Sequence, residues 1–180
     1  MGAAKAVLDL AGRPLVTYAL DAVAAAGLEP VVVAKRDSSL PEVDCRIVHE
    51  VDPRPHPAAG ILAALQVAEG PVVVLGCDMP FVPARLLEVL SQLPARAAFP
   101  TLGGRPQPLL ARYAPTVAAR LERAVERRER LRDAVRALDP LVLGSDELAG
   151  FGKPEWIAFN VNDERDLAAA ERLIAPAPSR

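Results

Sequence analysis

Short runs of β-branched residues alternate along this chain with longer stretches whose apolar positions recur every three or four residues. "EPVVVAK" (29–35) and "PVVVLG" (71–76) have the length and composition of strands, and "RIVHEV" (46–51) is a weaker third. Between them, Leu15, Tyr18, Ala19 and Val23 fall on one helical face, with Pro14 at its first position and Gly27 as its stop. Helical spacing also predicts helices over 58–70, 82–93 and 163–174. The longest stretch, 114–138, reads as one continuous helix whose charge run "ERRERLRD" is a solvated face. "ARAAFPTLGGRPQPLLARY" (95–113) reads as strand, glycine turn and strand, and "EWIAFNVN" (155–162) as a final strand. "DPRPHP" (52–57) has too many prolines for either element and reads as a surface loop.

Strands alternating with helices of ten to fifteen residues predict an α/β fold. The expected form is a doubly wound, mostly parallel sheet in a three-layer α/β/α sandwich. No repeat or linker divides the 180 residues, so a single domain over 1–174 with a frayed tail over 175–180 is expected. The unbroken apolarity of 71–76 predicts a strand buried on both faces. Ligands of such sheets bind at the carboxyl ends of the strands. That rule directs attention to "LGCDMPF" (75–81), where the most apolar run ends on Asp78.

A net charge of −2 offers no basic excess for nucleic acid. No apolar run is long enough to span a membrane, and no signal peptide is evident. Cys45 and Cys77 lack metal or disulfide spacing, which favours reduced thiols and a cytoplasmic location. His49 and His56 have no partner pattern and read as loop residues outside catalysis.

A carboxylate at a strand end suits the holding of a divalent cation against nucleotide phosphates. Asp78 could equally cap a helix beginning near Val82. Lys5, one of three lysines, could reach a phosphate as a point charge or could be a solvated surface residue. Asn160 and Asn162 are the chain's only asparagines, and two positions apart on a strand they would share a face, forming a polar pocket wall. Asp163, with Asp166 three residues on, reads as the cap of the last helix.

Taken in order, "MGAAKAVLDLAGRPLV", "HPAAGILAAL", "LGCDMPFVP", "GRPQPLLARY" and "FNVNDERDL" resemble the molybdenum cofactor guanylyltransferases, a MobA-like nucleotidyltransferase family, over essentially the whole chain. The resemblance implies transfer of GMP from GTP to the phosphate of molybdopterin, with Mg²⁺, releasing pyrophosphate. It places the metal and phosphate ligand on Asp78 and a phosphate-contacting lysine on Lys5. It places nucleotide contacts on Asp52 and Gly60. Asn160, Asn162, Arg105 and Pro106 fall on the pterin side. Molybdoenzymes and other proteins of cofactor synthesis are implied as further partners.

The chain departs from that pattern in several places. The family opens with a strand and a glycine-rich loop of the type "LAGGxSxRMG", of which only Met1-Gly2 is present here. The expectation is that the natural start lies upstream, because a sheet without that strand would expose edges and apolar faces. Ala4 stands for an expected acid, His56-Pro57-Ala58-Ala59-Gly60 for "GPLAG", Asp163-Glu164 for Thr-Pro, and Val33 for an occasional asparagine. The rival expectations are a CTP-dependent cytidylyltransferase and a non-catalytic nucleotide- or pterin-binding relative.

Overall fold

The computed structural model describes residues 5–50 and 55–175. After a 3₁₀ turn over Lys5–Val7, a small hairpin joins β1 (Asp9–Leu10) to β2 (Arg13–Pro14). Its tip, Ala11 and Gly12, takes positive φ at both positions, the geometry that matches the twist of paired strands. Helix α1 (Leu15–Ala25) follows, with Pro14 at its N-cap rather than inside it. Gly27, at φ 71°, stops the helix. Then come β3 (Val31–Ala34), β4 (Arg46–His49), α2 (Pro57–Val67), β5 (Val72–Leu75), α3 (Ala84–Gln92) and β6 (Ala97–Leu102). The chain continues through β7 (Arg105–Pro106), β8 (Leu110–Tyr113), α4 (Ala118–Glu126), α5 (Leu131–Arg136) and β9 (Leu141–Leu143). It ends in α6 (Ser145–Ala149), α7 (Pro154–Ile157) and α8 (Glu164–Ile174).

β3 and β4 pair in parallel, and the remaining larger strands form a second sheet in the order β5-β8-β6-β7, with β9 added parallel to β6. β5 and β6 both run antiparallel to β8, so they are parallel to each other and to β9. The two-residue period of the strands divides their side chains between two helical layers. Val72, Val74, Ala97, Phe99, Ala111 and Tyr113 face α2, α4 and α5, packing on Ile61, Leu121 and Val135. Val73, Leu75, Ala98 and Leu110 face the other way, onto Leu86, Leu87 and Leu90 of α3 and Val23 of α1. This is the expected α/β/α sandwich. Each of those fully buried α3 leucines stabilises the fold by about 1.5–3 kcal/mol on transfer arguments.

The strand expected to be buried on both faces is only half-buried: all four β5 residues keep partial exposure. Among the described residues β3 pairs only with β4 and β5 only with β8. Between them runs a largely apolar cleft of about 750 Å³, lined by Val31 and Val33 of β3, Val72 and Val74 of β5, Val16 of α1 and Ile61 of α2. Apolar side chains and two strand edges therefore face a common space.

The helix expected over 114–138 is broken. Arg128 takes φ 54°, its N–H bonds to Val125 O, and the Glu129 N–H bonds to Ala124 O, which together close α4 in the manner of a left-handed C-cap. Glu129 then turns back to pair with Arg120 at 2.6 Å, so part of the charge run closes a corner instead of lining a solvated face. The final strand expected over 155–162 is also absent. Its first half is α7, and residues 159–162 belong to no strand. β9 and α6 were not foreseen; a three-residue strand carries too little periodicity to read.

Candidate active site

The turn after β5 is held at both ends. Gly76 donates its N–H to Leu109 O at 2.7 Å, and Met79 donates to Gly76 O at 3.1 Å, closing a tight reversal. Met79 and Pro80 are buried beneath it, which fixes the backbone that carries Asp78. A side chain at position 76 would place Cβ 2.7 Å from Asp78 Oδ1, so only glycine lets the carboxylate fold back over its own strand end. Asp78 does not cap the next helix: α3 begins at Ala84 behind Pro83, with no side-chain cap. Of the two roles open to Asp78, the structure removes the cap.

Lys5 reaches this turn from the 3₁₀ turn at the start of the described chain. Its ammonium donates to Asp78 Oδ2 at 2.9 Å and to Asn162 Oδ1 at 2.8 Å. Lys5 and Asp78 each keep 19% side-chain exposure, so the pair is half-sheltered yet open to a ligand. Residues separated by 73 and 157 positions thus converge on one point at the carboxyl end of β5.

Asn162 is positioned by the helix that follows it. Asp163 caps α8 by accepting from the Arg165 and Asp166 N–H groups at 2.9 Å, as the sequence predicts. Asp166 reaches back to accept from the Asn162 N–H at 2.8 Å. Val161, fully buried against Leu10, Leu15 and Ala170, anchors the same segment. The two asparagines do not share a strand face. Asn162 points its carboxamide oxygen at Lys5, whereas the Asn160 amide turns back to Ala158 O at 2.7 Å. The shared wall expected from strand alternation fails because the segment is not a strand.

The other predicted residues lie as follows. Gly60 is in the first turn of α2, where an added Cβ would stand 3.3 Å from Glu50 Oε1. It opens on the same cleft as Gly76 and Cys77, which links α2 to the turn bearing Asp78. Arg105 is exposed and Pro106 buried on the β6–β7 hairpin, whose glycines Gly103 and Gly104 take the expected positive φ. Among the described residues Arg105 makes no hydrogen bond to Lys5, Asp78 or Asn162. Asp52 lies outside the described residues.

His56, read from sequence as a plain loop residue, is the N-cap of α2. Its Nδ1 accepts from the Ala58 N–H at 3.1 Å, and its Nε2–H donates to Glu129 O at 2.6 Å. The ring therefore joins the start of α2 to the corner after α4, a role with no local sequence signature. Cys77 stands beside Asp78 with its thiol pushed up, first by burial and then by the Asp78 charge, against a smaller pull from Lys5. A thiol held protonated in this way is a poor nucleophile.

Comparison with known proteins bears on what such a site acts upon. Residues 1–141 match the family described as MobA-like NTP transferase domain. The chain belongs to that family. It is 32% identical over 167 residues to a molybdenum cofactor guanylyltransferase of Pseudomonas putida, covering 86% of each chain. Among solved structures it resembles molybdopterin-guanine dinucleotide biosynthesis protein A of Archaeoglobus fulgidus. That likeness has a TM-score of 0.79 and 27% identity, over 94% of this chain and 89% of that one. The 2-C-methyl-D-erythritol 4-phosphate cytidylyltransferase of Thermus thermophilus shares the fold at a TM-score of 0.70 and 19% identity, over 94% and 92% of the two chains.

Proposed function

We propose that this member of the MobA-like family transfers GMP from GTP to the phosphate of molybdopterin and releases pyrophosphate. The observation that carries the reading is the convergence of Lys5, Asp78 and Asn162 at the end of β5. The guanylyltransferase name of the curated relatives favours GTP over CTP as the donor.

In the transfer, a phosphate oxygen of the pterin attacks the α-phosphorus of GTP. The bond from that phosphorus to the bridging oxygen breaks, and pyrophosphate leaves with the electron pair. Such a displacement needs positioning and charge neutralisation more than a covalent nucleophile. Lys5 meets the phosphates as a point charge, and Asn162 holds its ammonium on the site side through a 2.8 Å hydrogen bond. Asp78 is the residue that would hold Mg²⁺. The donors at this point are hard oxygens already gathered around one cation, the Lys5 ammonium, and that chemistry fits the ion. When bound, the ion neutralises triphosphate charge and polarises the phosphorus under attack. Gly60 and Asp52 are proposed on the nucleotide side, with Arg105, Pro106 and Asn160 on the pterin side.

Incubation with molybdopterin, Mg²⁺ and either GTP or CTP, followed by mass spectrometry of the pterin, tests the reading. A GMP adduct formed at least about tenfold faster than any CMP adduct is expected, a preference worth about 1.4 kcal/mol in the transition state. A faster CMP adduct, or no adduct with either nucleotide, would contradict it.

A further inference from the structure

We propose that Lys5 and the divalent cation hold Asp78 in turn, so that the cation is admitted only in company with nucleotide. The inference rests on the nucleotidyl-transfer reading above and adds an order of events to it. Asp78 Oδ1 is folded against the Gly76 backbone, where even a methyl group would stand at 2.7 Å. Oδ2 is the oxygen engaged by the Lys5 ammonium at 2.9 Å, and the same ammonium holds Asn162 Oδ1 at 2.8 Å. Two of the oxygens a cation would seek, Asp78 Oδ2 and Asn162 Oδ1, are thus already engaged by a cation of the chain itself.

A free divalent ion has little with which to displace it. Among the described residues no group of three His, Cys, Asp or Glu side chains could hold a metal. Mg²⁺ dehydrates reluctantly and is seldom held by one or two protein oxygens without phosphate. A nucleotide changes both sides of the balance. Its phosphates bring oxygens to complete the ion's shell and offer the Lys5 ammonium a second anion. Lys5 has the means to move, for it sits on a single 3₁₀ turn and keeps partial exposure at the end of a flexible four-carbon stem. Its charge therefore guards the carboxylate while the site is empty and passes to the phosphates when the site fills.

Mn²⁺ binding to the full 180-residue chain, followed by electron paramagnetic resonance, tests the exchange. The wild-type chain is expected to bind Mn²⁺ weakly alone and much more tightly with a non-hydrolysable GTP analogue. Lys5→Met is expected to bind Mn²⁺ without nucleotide at least about tenfold more tightly than wild type, because an adjacent like charge has gone. Asp78→Asn added to it should remove the gain. Lys5→Arg, which keeps the charge, should stay at the wild-type affinity, and Lys5→Gln should repeat the Met result if the Met variant does not fold. Unchanged or weaker nucleotide-free binding in the neutral variants would overturn the exchange. A gain in those variants, with no tightening by the GTP analogue in wild type, would leave Lys5 as a guard of Asp78 but overturn both the exchange with nucleotide and the guanylyl-transfer reading.

Discussion

The Val161 N–H donates to the main-chain carbonyl oxygen of Asp78 at 2.8 Å. This one bond ties the turn after β5 to the segment that carries Asn162, across 83 positions of sequence, without using either functional side chain. Because Val161 is fully buried, the bond is shielded from water and its breaking would leave an unpaired group. Asp78 and Asn162 thus meet around Lys5 as a consequence of backbone packing, before any ligand arrives. The Phe81 and Phe159 rings, 5.7 Å apart, pack the same two segments together from the side.

Gly76→Ala separates the stability of this turn from its function. The added Cβ meets Asp78 Oδ1 at 2.7 Å, but the carboxylate is a side-chain end that can swing away. The fold should lose less than about 1 kcal/mol, near the low end for an added methyl group. Transfer should fall by about tenfold or more, since Asp78 would leave its position. Thermal denaturation alongside turnover checks this; unchanged turnover would show that the folded-back carboxylate is dispensable.

Arg128→Gly should stabilise the protein. Arg128 is exposed and held at φ 54°, where an L side chain is strained and glycine is not. A gain of about 0.5–1 kcal/mol in urea denaturation is expected, the usual scale of left-handed relief less the entropy glycine adds to the unfolded chain. A loss would mean that the Arg128 side chain supports the corner.

Acid should weaken the same corner. The Arg120 hydrogen bond holds the Glu129 carboxyl below its ordinary range. A carboxyl whose pKa is lower in the folded state stabilises the fold above its unfolded pKa and ceases to as pH falls through the folded one. Wild type should therefore melt above Glu129→Gln at pH 7, and the difference should shrink as pH falls below the ordinary carboxylate range. A difference that does not shrink on acidification would assign it to packing rather than to charge.

Much of the architecture is legible in the sequence because strand and helix periods differ and the punctuation is strong. Gly27, Gly103 and Gly104 fall where positive φ is needed, and Asp163 caps α8 as its spacing with Asp166 suggests. Asp78 is legible from its place at the end of an apolar strand, and the resemblance brings Lys5 to the same site. What escapes is set by contacts distant in sequence. The break at Arg128 depends on Glu129 turning to Arg120 and His56, which a helical charge pattern cannot announce. Asn160 and Asn162 diverge because the strand their spacing suggested does not form: its first half is a helical turn, and the Asn160 amide closes back on Ala158 O. Half-burial of β5 follows from the cleft beside it, a property of the whole sheet rather than of its four residues.

The central claim is that Asp78 is the carboxylate on which nucleotidyl transfer depends. Pyrophosphate release from GTP in the presence of molybdopterin and Mg²⁺, compared between wild type and Asp78→Asn, tests it most directly. The substitution keeps size and shape and removes the charge, so the thermal transition should stay close to that of wild type. The account predicts at least about a hundredfold loss of release, the usual consequence of removing one group that stabilises transition-state charge. Release within a fewfold of wild type from a well-folded Asp78→Asn chain would contradict it.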